Sequence, residues 1–463
     1  MNNKELLTGA IHDALKAWHK PGIMGDEMLL DELQLVKRRQ KQAADGENGR
    51  RLCLNEILLE ALEQLGQQNG EASRLLRDRF LDGQTLREVA QAIGTGHHAV
   101  SRQQRAALEA LAEVIMQQET RLREKLANQI NSHLLPASYD RLFGVAALQA
   151  ELVEQLTAVS HPHLITILGI GGIGKTSLAD AAVRQVIPAF RFDEVVWLRL
   201  EYQTLDGRSR SPEHSWQQII DGIAAHIWPD SYRDVGPKQR EVQVRHRLKQ
   251  TPYLVVVDNL EAEDDTAYVL AHLNDLADPS KFLLTTRIQP AGETAVFTLS
   301  LSELSRTDAE ALMRHHAERS TISLAEATAA DFDAIYKRVG GNPLALKLVI
   351  SLLRDISLPH VLDNLVAQRG QDIAEMYERI YQRAWSLLTP AAQTVLGSMQ
   401  LVSEDGATAD YLQVMSDLDD DALWQAIHLL NQRSLLEVRG TLHERKYGIH
   451  RLTRTFLQKH INP

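Results

Sequence analysis

The spacing of hydrophobic positions changes about a third of the way along the chain. Up to Asn131 the apolar residues recur every three or four positions, which is typical of helices with one buried face. From Leu164 onward, short continuous apolar runs alternate with helical segments. Five runs are predicted as strands: LITILGI (164–170), DEVVWLRL (193–200), YLVVVDNL (253–260), KFLLTTR (281–287) and AVFTLSL (295–301). Continuous apolar strands between helices predict a parallel sheet covered on both faces.

The segments around these strands read as helices. SLADAAVRQVI (177–187) and SWQQIIDGIAAHIW (215–228) have helical periodicity, and so does the stretch 305–373. From Pro390 the pattern predicts further helices and then a pair of short strands, SLLEVRG and ERKYGIHRL. LLPASYDRLFG (134–144) contains a proline and is predicted to be a linker.

Composition narrows the class of protein. The chain has 463 residues, which suggests several domains, and its formal net charge is −11. That charge argues against a protein that coats nucleic acid without specificity. A single cysteine, Cys53, excludes an internal disulfide, and the N-terminus has no apolar core of a signal peptide. No apolar run is long enough to cross a membrane, so we expect a cytoplasmic protein without membrane contact.

The stretch GIGGIGKTSLAD, Gly169 to Asp180, has the G-x-x-x-x-G-K-[ST] spacing of a phosphate-binding loop. Glycines let backbone N–H groups converge on phosphate oxygens, and the helix that follows adds its positive dipole end. Lys175 is predicted to reach the β- and γ-phosphates, and Thr176 to bind Mg²⁺. The predicted nucleotide-binding residues are Gly169, Gly171, Gly172, Ile173, Gly174, Lys175, Thr176 and Ser177.

An acid at the end of a neighbouring strand is expected to complete the magnesium site. Asp258 ends the apolar run YLVVVD, as a Walker B aspartate does, although it could also cap the next turn. Asn259 follows at the position where many such ATPases carry a general base, and an amide cannot accept a proton from water. Glu261 is the nearest alternative base. We therefore expect slow hydrolysis, which suits a switch better than a motor.

The order of motifs resembles the NB-ARC branch of the STAND ATPases, which includes plant resistance proteins, apoptosome scaffolds and bacterial signalling ATPases. The segments that carry the resemblance are LFGVAALQAELVEQL, GIGGIGKTSLA, FDEVVWLRL, LLTTR, GGNPLAL and YGIHRLTRTFL, and they span about 142–463. The resemblance implies ATP or ADP as the nucleotide, self-oligomerisation in the ATP state and a closed ADP state.

The same resemblance implies roles for three further residues. Arg287 would read the γ-phosphate, Pro343 would pack on the adenine, and His450 would contact the β-phosphate of ADP. Each also has an ordinary structural explanation, since Arg287 could pair on the surface, Pro343 could start a helix and His450 could be a core histidine. The sequence departs from the family pattern at Val145, where an arginine is common, and at Arg451, where an aspartate is usual.

A second motif lies in the N-terminal part. TLREVAQAI (85–93), a turn at Gly94 and a helix from about His97 have helix-turn-helix form, and the segment resembles the fourth region of bacterial sigma factors. Val100, Leu108 and Leu111 should face the core. His97, His98, Ser101, Arg102 and Arg105 should point outward, and the last four are the candidates for contact with duplex DNA. A protein-interaction module of the same shape remains the alternative.

Together these patterns predict a multidomain α and α/β protein. The expected domains are a helical domain at 1–135 with the helix-turn-helix at about 74–115, a P-loop NTPase domain at 136–303, a helical domain at 304–376 and a winged helix at 377–463. The first functional hypothesis is a nucleotide-controlled DNA-binding regulator. The second is an NLR-like defence or signalling scaffold, and the third is a metabolic P-loop kinase. We expect sensing by residues 1–135 or by a separate sensor or effector protein.

Overall fold

The computed structural model describes residues 3–19, 28–42, 47–200, 211–260, 263–289, 296–364, 373–403, 406–440 and 445–460. Contacts divide the chain into two compact units, Met1–Gln129 and Ile130–Pro463. No helix among these residues combines the length and the apolar character needed to span a bilayer.

The first unit is helical. Its helices are α1 (Asn3–Lys16), α2 (Met28–Asp31), α3 (Gln34–Gln42), α4 (Glu47–Gln68), α5 (Gly70–Leu76), α6 (Leu86–Ala92) and α7 (His97–Ser132), with a π-helical turn at Arg77–Leu81 after α5. Its core is built from aliphatic side chains, of which Ile11, Leu58, Leu62 and Leu111 are fully buried. The predicted helical periodicity of this region is therefore confirmed.

Helices α6 and α7 are joined by a tight turn. Thr85 caps α6 in a reciprocal box with Glu88, which satisfies backbone N–H groups at the start of the helix. Gly94 has a φ of +67°, a conformation that glycine adopts without steric cost. Val100, Leu108 and Leu111 are buried, as the sequence predicted. The helix that follows the turn continues for 36 residues, far beyond the predicted motif.

The second unit contains a five-stranded sheet. Its strands are β1 (Leu164–Leu168), β2 (Glu194–Arg199), β3 (Tyr253–Leu260), β4 (Lys281–Thr286) and β5 (Val296–Ser300). All pair in parallel in the order β2-β3-β4-β1-β5, which confirms the predicted parallel sheet. The helices around it are α8 (Ala146–Thr157), α9 (Lys175–Val186), α10 (Pro212–Ile227), α11 (Pro237–Gln250) and α12 (Glu263–Leu276).

Both faces of the sheet are covered. Alternate side chains of the strands, such as Val255 and Leu284, share a core with α10, α11 and α12. The residues between them, such as Val256 and Leu283, are equally buried, and α9 packs on β1 and β4. This double burial explains why the strands are continuous apolar runs rather than alternating ones.

The rest of the second unit is mostly helical. The helices are α13 (Arg306–Arg319), α14 (Ala329–Val339), α15 (Pro343–Leu352), α16 (Leu358–Asn364), α17 (Ile373–Ser386), α18 (Pro390–Ser398), α19 (Ala409–Ser416), α20 (Asp420–Gln432) and α21 (Arg451–His460). The predicted strand pair is present as the antiparallel hairpin β6 (Glu437–Gly440) and β7 (Arg445–Gly448). Buried residues from Leu304 to Leu457 form one continuous core. Side chains on the two sides of the predicted domain border at 376/377 therefore pack against each other.

Candidate nucleotide site

The predicted phosphate-binding loop lies between the end of β1 and the start of α9. Gly174 precedes the first residue of α9 and has a φ of +104°, and Gly172 has a φ of +73°. The ammonium group of Lys175 folds back over the loop and donates to the carbonyl oxygens of Gly169 at 2.8 Å and Ile170 at 3.1 Å. The loop therefore has the geometry that lets backbone N–H groups turn toward an anion.

Glycine is required in this loop because other segments touch its backbone. A Cβ at Gly171 would lie 2.9 Å from a terminal nitrogen of Arg287. A Cβ at Gly172 would lie 2.7 Å from the hydroxyl oxygen of Tyr377 and 2.9 Å from Cβ of Leu344. The guanidinium of Arg287 thus packs directly against the loop, beside the position where phosphates are expected.

The hydroxyl of Thr176 and the carboxylate of Asp258 are in contact. Thr176 Oγ1 donates to Asp258 Oδ1 at 2.9 Å, and Thr285 Oγ1 donates to the same oxygen at 2.6 Å. Asp258 is only 3% exposed, so water does not compete for these two contacts. Strand β3 places this carboxylate at the carboxyl edge of the sheet, next to the first turn of α9. A hydroxyl and a carboxylate together offer the hard oxygen ligands that Mg²⁺ prefers.

The residue after the aspartate has an unusual backbone. Asn259 has a φ of +79°, and its N–H donates to Thr285 Oγ1 at 2.8 Å. The pairing of β3 with β4 shifts register between Val257 and Leu260, so the strand is irregular at this point. Glu261, the predicted alternative base, lies outside the described residues.

Arg199 adds a cation that the sequence reading did not single out. It is the last residue of β2, opposite Asp258 in the strand register, and its Nε lies 3.5 Å from Asp258 Oδ2. Its side chain is 14% exposed. The Asp258 carboxylate therefore has two hydroxyls at Oδ1 and a guanidinium near Oδ2. Its position at the end of a predicted strand could have indicated that Arg199 lies near the site.

The segment GGNPLAL holds the phosphate-binding loop from the helical region. Asn342 Nδ2 donates to the carbonyl of Gly171 at 2.9 Å, and the N–H of Leu344 donates to the carbonyl of Gly172 at 3.3 Å. Tyr377 donates its hydroxyl hydrogen to Asn342 Oδ1 at 2.5 Å. Asn342, which is also the N-cap of α15, thus connects three segments, whereas the sequence reading had selected only its neighbour Pro343.

These segments enclose a cavity of about 890 Å³, which is large enough for a nucleotide. Most of the predicted site residues line it, namely Gly171, Gly172, Ile173, Gly174, Lys175, Thr176, Ser177, Asp258, Arg287, Pro343 and His450. Gly169 lies just outside the lining, where a Cβ would meet the carbonyl of Leu301 at 2.9 Å. The described part of the predicted nucleotide site is thus gathered in one place.

His450 reaches the cavity from the C-terminal region. It directly precedes α21, and its Nδ1 accepts a hydrogen bond from the N–H of Leu452 at 3.2 Å. Thr453, one residue further along α21, donates to the hydroxyl of Tyr381 at 3.0 Å and so fixes the helix on α17. The imidazole is therefore carried on a packed element.

The cavity wall also contains residues from the linker and from α13 that the sequence analysis did not name individually. The Phe143 ring lies against the His315 ring, and His315 Nε2 is 3.0 Å from a carboxylate oxygen of Asp140. Lys347 of α15 lines the cavity as well. Burial lowers the pKa of Lys347, and the nearby carboxylates of Glu437 and Asp140 oppose that shift. An aromatic wall beside cations is suited to a planar base and its phosphates.

The neighbouring His316 contacts two serines. Burial, reinforced by Lys347, lowers the pKa of His316 to about 4. Its Nε2 lies 3.1 Å from the hydroxyl of Ser351 in α15 and 3.0 Å from that of Ser434, just before β6. The neutral imidazole therefore joins the helical region to the C-terminal region beside the cavity.

The DNA-contact candidates are on the first unit. His98, Ser101, Arg102 and Arg105 are all exposed on the first turns of α7, as predicted. The Nε of Arg105 donates to Glu109 Oε1 at 3.1 Å, an exposed pair of the kind that contributes little to stability. The structure places these side chains on one surface.

Comparison with known proteins identifies the nucleotide-binding part. The profile of the NB-ARC domain matches residues 145–320. Residues 145–320 thus form a P-loop domain of the NB-ARC type. The match covers the sheet, the phosphate-binding loop and α13, so the NB-ARC domain contains most of the cavity described above.

Similar proteins include plant resistance proteins. The chain is 29% identical over 220 residues to the disease resistance protein RGA4 of Oryza sativa subsp. japonica, which covers 46% of this chain and 20% of that protein. It is 26% identical over 257 residues to the disease resistance protein RPP8 of Arabidopsis thaliana, covering 53% of this chain and 27% of that protein. The matches thus span about a fifth to a quarter of these relatives.

Among solved structures, a STAND protein with a tetratricopeptide repeat sensor from Pyrococcus horikoshii has a TM-score of 0.45 and 19% identity. The alignment covers 70% of this chain and 44% of that one.

Proposed function

We propose that the chain is an ATP/ADP switch in which the nucleotide forms part of the interface between domains. The observation that carries this proposal is that four segments meet around one loop. Arg287 of the sheet region packs on Gly171, Asn342 of the helical region binds the same glycine, Tyr377 of α17 lies against Gly172, and His450 lines the cavity. A nucleotide at this point would contact elements that a rigid enzyme would keep apart.

The residues present fit Mg²⁺ and a nucleoside triphosphate. The loop at Gly171–Gly174 has open backbone geometry, and Lys175 would hold the β- and γ-phosphates once released from its carbonyl partners. Thr176 and Asp258 would hold Mg²⁺, whose chemical contribution is to neutralise phosphate charge. Arg287 would bind the γ-phosphate, and His450 would bind the β-phosphate of ADP. Pro343 and Phe143 would contact the base.

Hydrolysis is proposed to be slow. Asn259 cannot act as a general base, and its backbone N–H is bound to Thr285, which holds the residue in place. Such a site would keep a nucleotide for a long time rather than turn it over quickly. That property suits a timer, in which the ATP state lasts until hydrolysis returns the chain to the ADP state.

The two nucleotides can shift the domains only through different affinities for the two arrangements. In the proposal, His450 favours the closed arrangement with ADP, and Arg287 favours a rearranged, oligomerising one with ATP. Moving such an equilibrium from 1:99 to 99:1 takes about 5.5 kcal/mol of differential affinity. Arg287 and His450 would each contact phosphate in a different one of the two arrangements, and two hydrogen bonds to charged groups, at about 1.5–3 kcal/mol each, are of the right order to supply it.

The output is proposed to be DNA binding through α6 and α7. Their tight turn, the buried Val100 and the exposed Arg102 and Arg105 support a helix-turn-helix whose second helix enters the major groove. The helices α18 to α21 with the hairpin β6–β7 support a winged helix, to which we assign a structural role.

The alternative is an NLR-like defence or signalling scaffold whose N-terminal domain recruits a protein partner. The observation that favours it is the similarity to disease resistance proteins. The net charge of −11 argues only against binding nucleic acid without specificity.

A titration of duplex DNA at several salt concentrations distinguishes the two outputs. The regulator should bind with a strong salt dependence because its cations displace condensed counterions. Size measurements with ADP and with ATP on the same sample test the switch itself. Larger assemblies with ATP only would support it, and one size with both nucleotides would contradict it.

A further inference from the structure

Three potential metal ligands lie together at the edge of the sheet opposite the phosphate-binding loop. They are His133, Glu194 and His226, and one ligand atom from each lies within 4.8 Å of the other two. His133 Nδ1 is 3.6 Å from Glu194 Oε2, and His226 Nε2 is 3.8 Å from the same oxygen. Within the described ranges, no other histidines, cysteines or acids form such a group of three.

The distances are close to those of a tetrahedral zinc site. With metal–ligand bonds of about 2.0–2.2 Å, the ligand atoms of such a site are roughly 3.3–3.6 Å apart. The two distances measured to Glu194 exceed that range by no more than about 0.2 Å. The rings of His133 and His226 meet edge to face with centroids 4.9 Å apart, so their nitrogens can approach one point from different directions. Small side-chain rotations would complete the geometry.

Two of the ligands stand on rigid elements. Glu194 is the first residue of β2 and pairs with Tyr253 of β3. His226 lies in the last turn of α10, whose Ile223 and Ala224 are fully buried against the sheet. Their side chains are 26% and 21% exposed, and that of His133 is 39% exposed. The cluster is therefore held in place and still open enough for an ion to enter with a water as fourth ligand.

We propose that His133, Glu194 and His226 bind one divalent transition-metal ion, for which two imidazoles and a carboxylate are suitable ligands and Zn²⁺ the best fit. Such an ion would tie the segment after α7 to β2 and α10 and would stabilise the second unit. Glu194 and Arg199 are the two ends of β2, about 16 Å apart at the usual rise per residue. Because Arg199 lies beside Asp258, the ion would bind independently of Mg²⁺ and nucleotide.

The test is calorimetric titration of the chelator-treated full chain with ZnCl₂, supported by absorption spectra with Co²⁺. We expect one ion per chain and Co²⁺ bands of four-coordinate geometry. Glu194→Gln keeps the volume of the side chain and should weaken binding by more than about tenfold, as should His226→Ala. Zn²⁺ should raise the melting temperature of the wild type and leave that of these variants unchanged.

His161→Ala is the matched control. The rings of His161 and His163 also meet edge to face, at 4.8 Å, but the nearest carboxylate, that of Asp278, is 74% exposed. This variant should bind Zn²⁺ like the wild type, and its loss of binding would place the ion elsewhere and overturn the proposal. Absence of saturable binding, or equal affinity in Glu194→Gln, would overturn it as well. If Glu194→Gln fails to fold, His133→Ala at the more exposed position replaces it.

Discussion

The nucleotide cavity and the exposed face of α7 each present cations near the first turn of a helix, yet their surroundings differ. Around the cavity, Arg287 and Asn342 touch the backbone of the phosphate-binding loop from separate segments. On α7, Arg102 and Arg105 extend into solvent, and the structural support for their role is the shape of two helices. Substitutions at the loop should therefore disturb several contacts at once, whereas substitutions on α7 should change only the charge of one surface.

The largest effect is expected for Gly172→Ala. The new Cβ would meet the Tyr377 hydroxyl at 2.7 Å in a backbone with a φ of +73°. We expect the free energy of unfolding to fall by about 3 kcal/mol and nucleotide binding to be lost. Gly83→Ala is the matched control, since Gly83 has a φ of +71° and open space around its Cβ position. Chemical denaturation of both variants should show a loss of only about 1 kcal/mol in the control. Equal losses of unfolding free energy in the two variants would mean that the contacts of Tyr377 and Leu344 with Gly172 are unimportant.

A somewhat smaller effect is the pH dependence of the free energy of unfolding that His316 causes. Burial lowers its pKa from 6.5 to about 4, so the unfolded chain binds the proton more readily than the native one. Stability from this residue is therefore complete above about pH 6.5 and is lost progressively as the pH falls toward about 4. Between pH 8 and pH 5 the wild type should lose about 2 kcal/mol more unfolding free energy than His316→Gln. Parallel pH profiles of the two proteins would contradict the burial argument.

A smaller effect tests the α7 surface. Replacing Arg102 and Arg105 by alanine should weaken duplex DNA binding about tenfold and reduce the salt dependence, since two phosphate contacts are lost. Arg121→Ala is the control, because Arg121 is exposed on the same helix well beyond the turn. Fluorescence anisotropy at several salt concentrations measures both quantities. If Arg121→Ala weakens DNA binding as much, the binding depends on the overall charge of the helix and not on Arg102 and Arg105. Absence of DNA binding in the wild type would favour the scaffold.

The smallest effect is expected for Tyr377→Phe. Removal of the hydroxyl deletes the bond to Asn342 Oδ1 and leaves the buried ring in place. We expect a loss of about 1 kcal/mol in unfolding free energy and a modest loss of nucleotide affinity. Denaturation and nucleotide titration of the same preparation check this. A nucleotide affinity as low as that of Gly172→Ala would show that the hydroxyl itself is part of the binding site.

The sequence predicted the sheet well because every strand is buried on both faces and therefore appears as an unbroken apolar run. Helices α11 and α12 were not predicted. α11 reads PKQREVQVRHRLKQ and buries only Arg240, Val244 and Leu248, so its apolar stripe is too sparse to stand out. The burial of Lys281 could not be predicted from the sequence either. This lysine is completely buried, and its ammonium group donates to the carbonyl of Gln155. Burial of a lysine depends on a partner 126 residues away, which local patterns do not reveal.

The candidate site was predictable where a motif has fixed local spacing. Lys175, Thr176 and Asp258 follow from the phosphate-binding loop and from a strand that ends in an acid. Arg199 and Asn342 were missed because their importance comes from contacts made only in the folded chain. Arg199 meets Asp258 across two strands, and Asn342 meets Gly171 across 171 positions of sequence. Conversely, Asn259 was noticed from the sequence, but its left-handed backbone became visible only in the structure.

The central claim is that the chain holds a nucleotide as part of its domain interface. The most direct measurement is the identity and amount of nucleotide released by acid from freshly purified protein, with wild type beside Lys175→Ala. The account predicts close to one ADP per wild-type chain and none in the variant. An empty wild-type site combined with rapid, steady ATP turnover would contradict the switch and would point to a motor or a kinase.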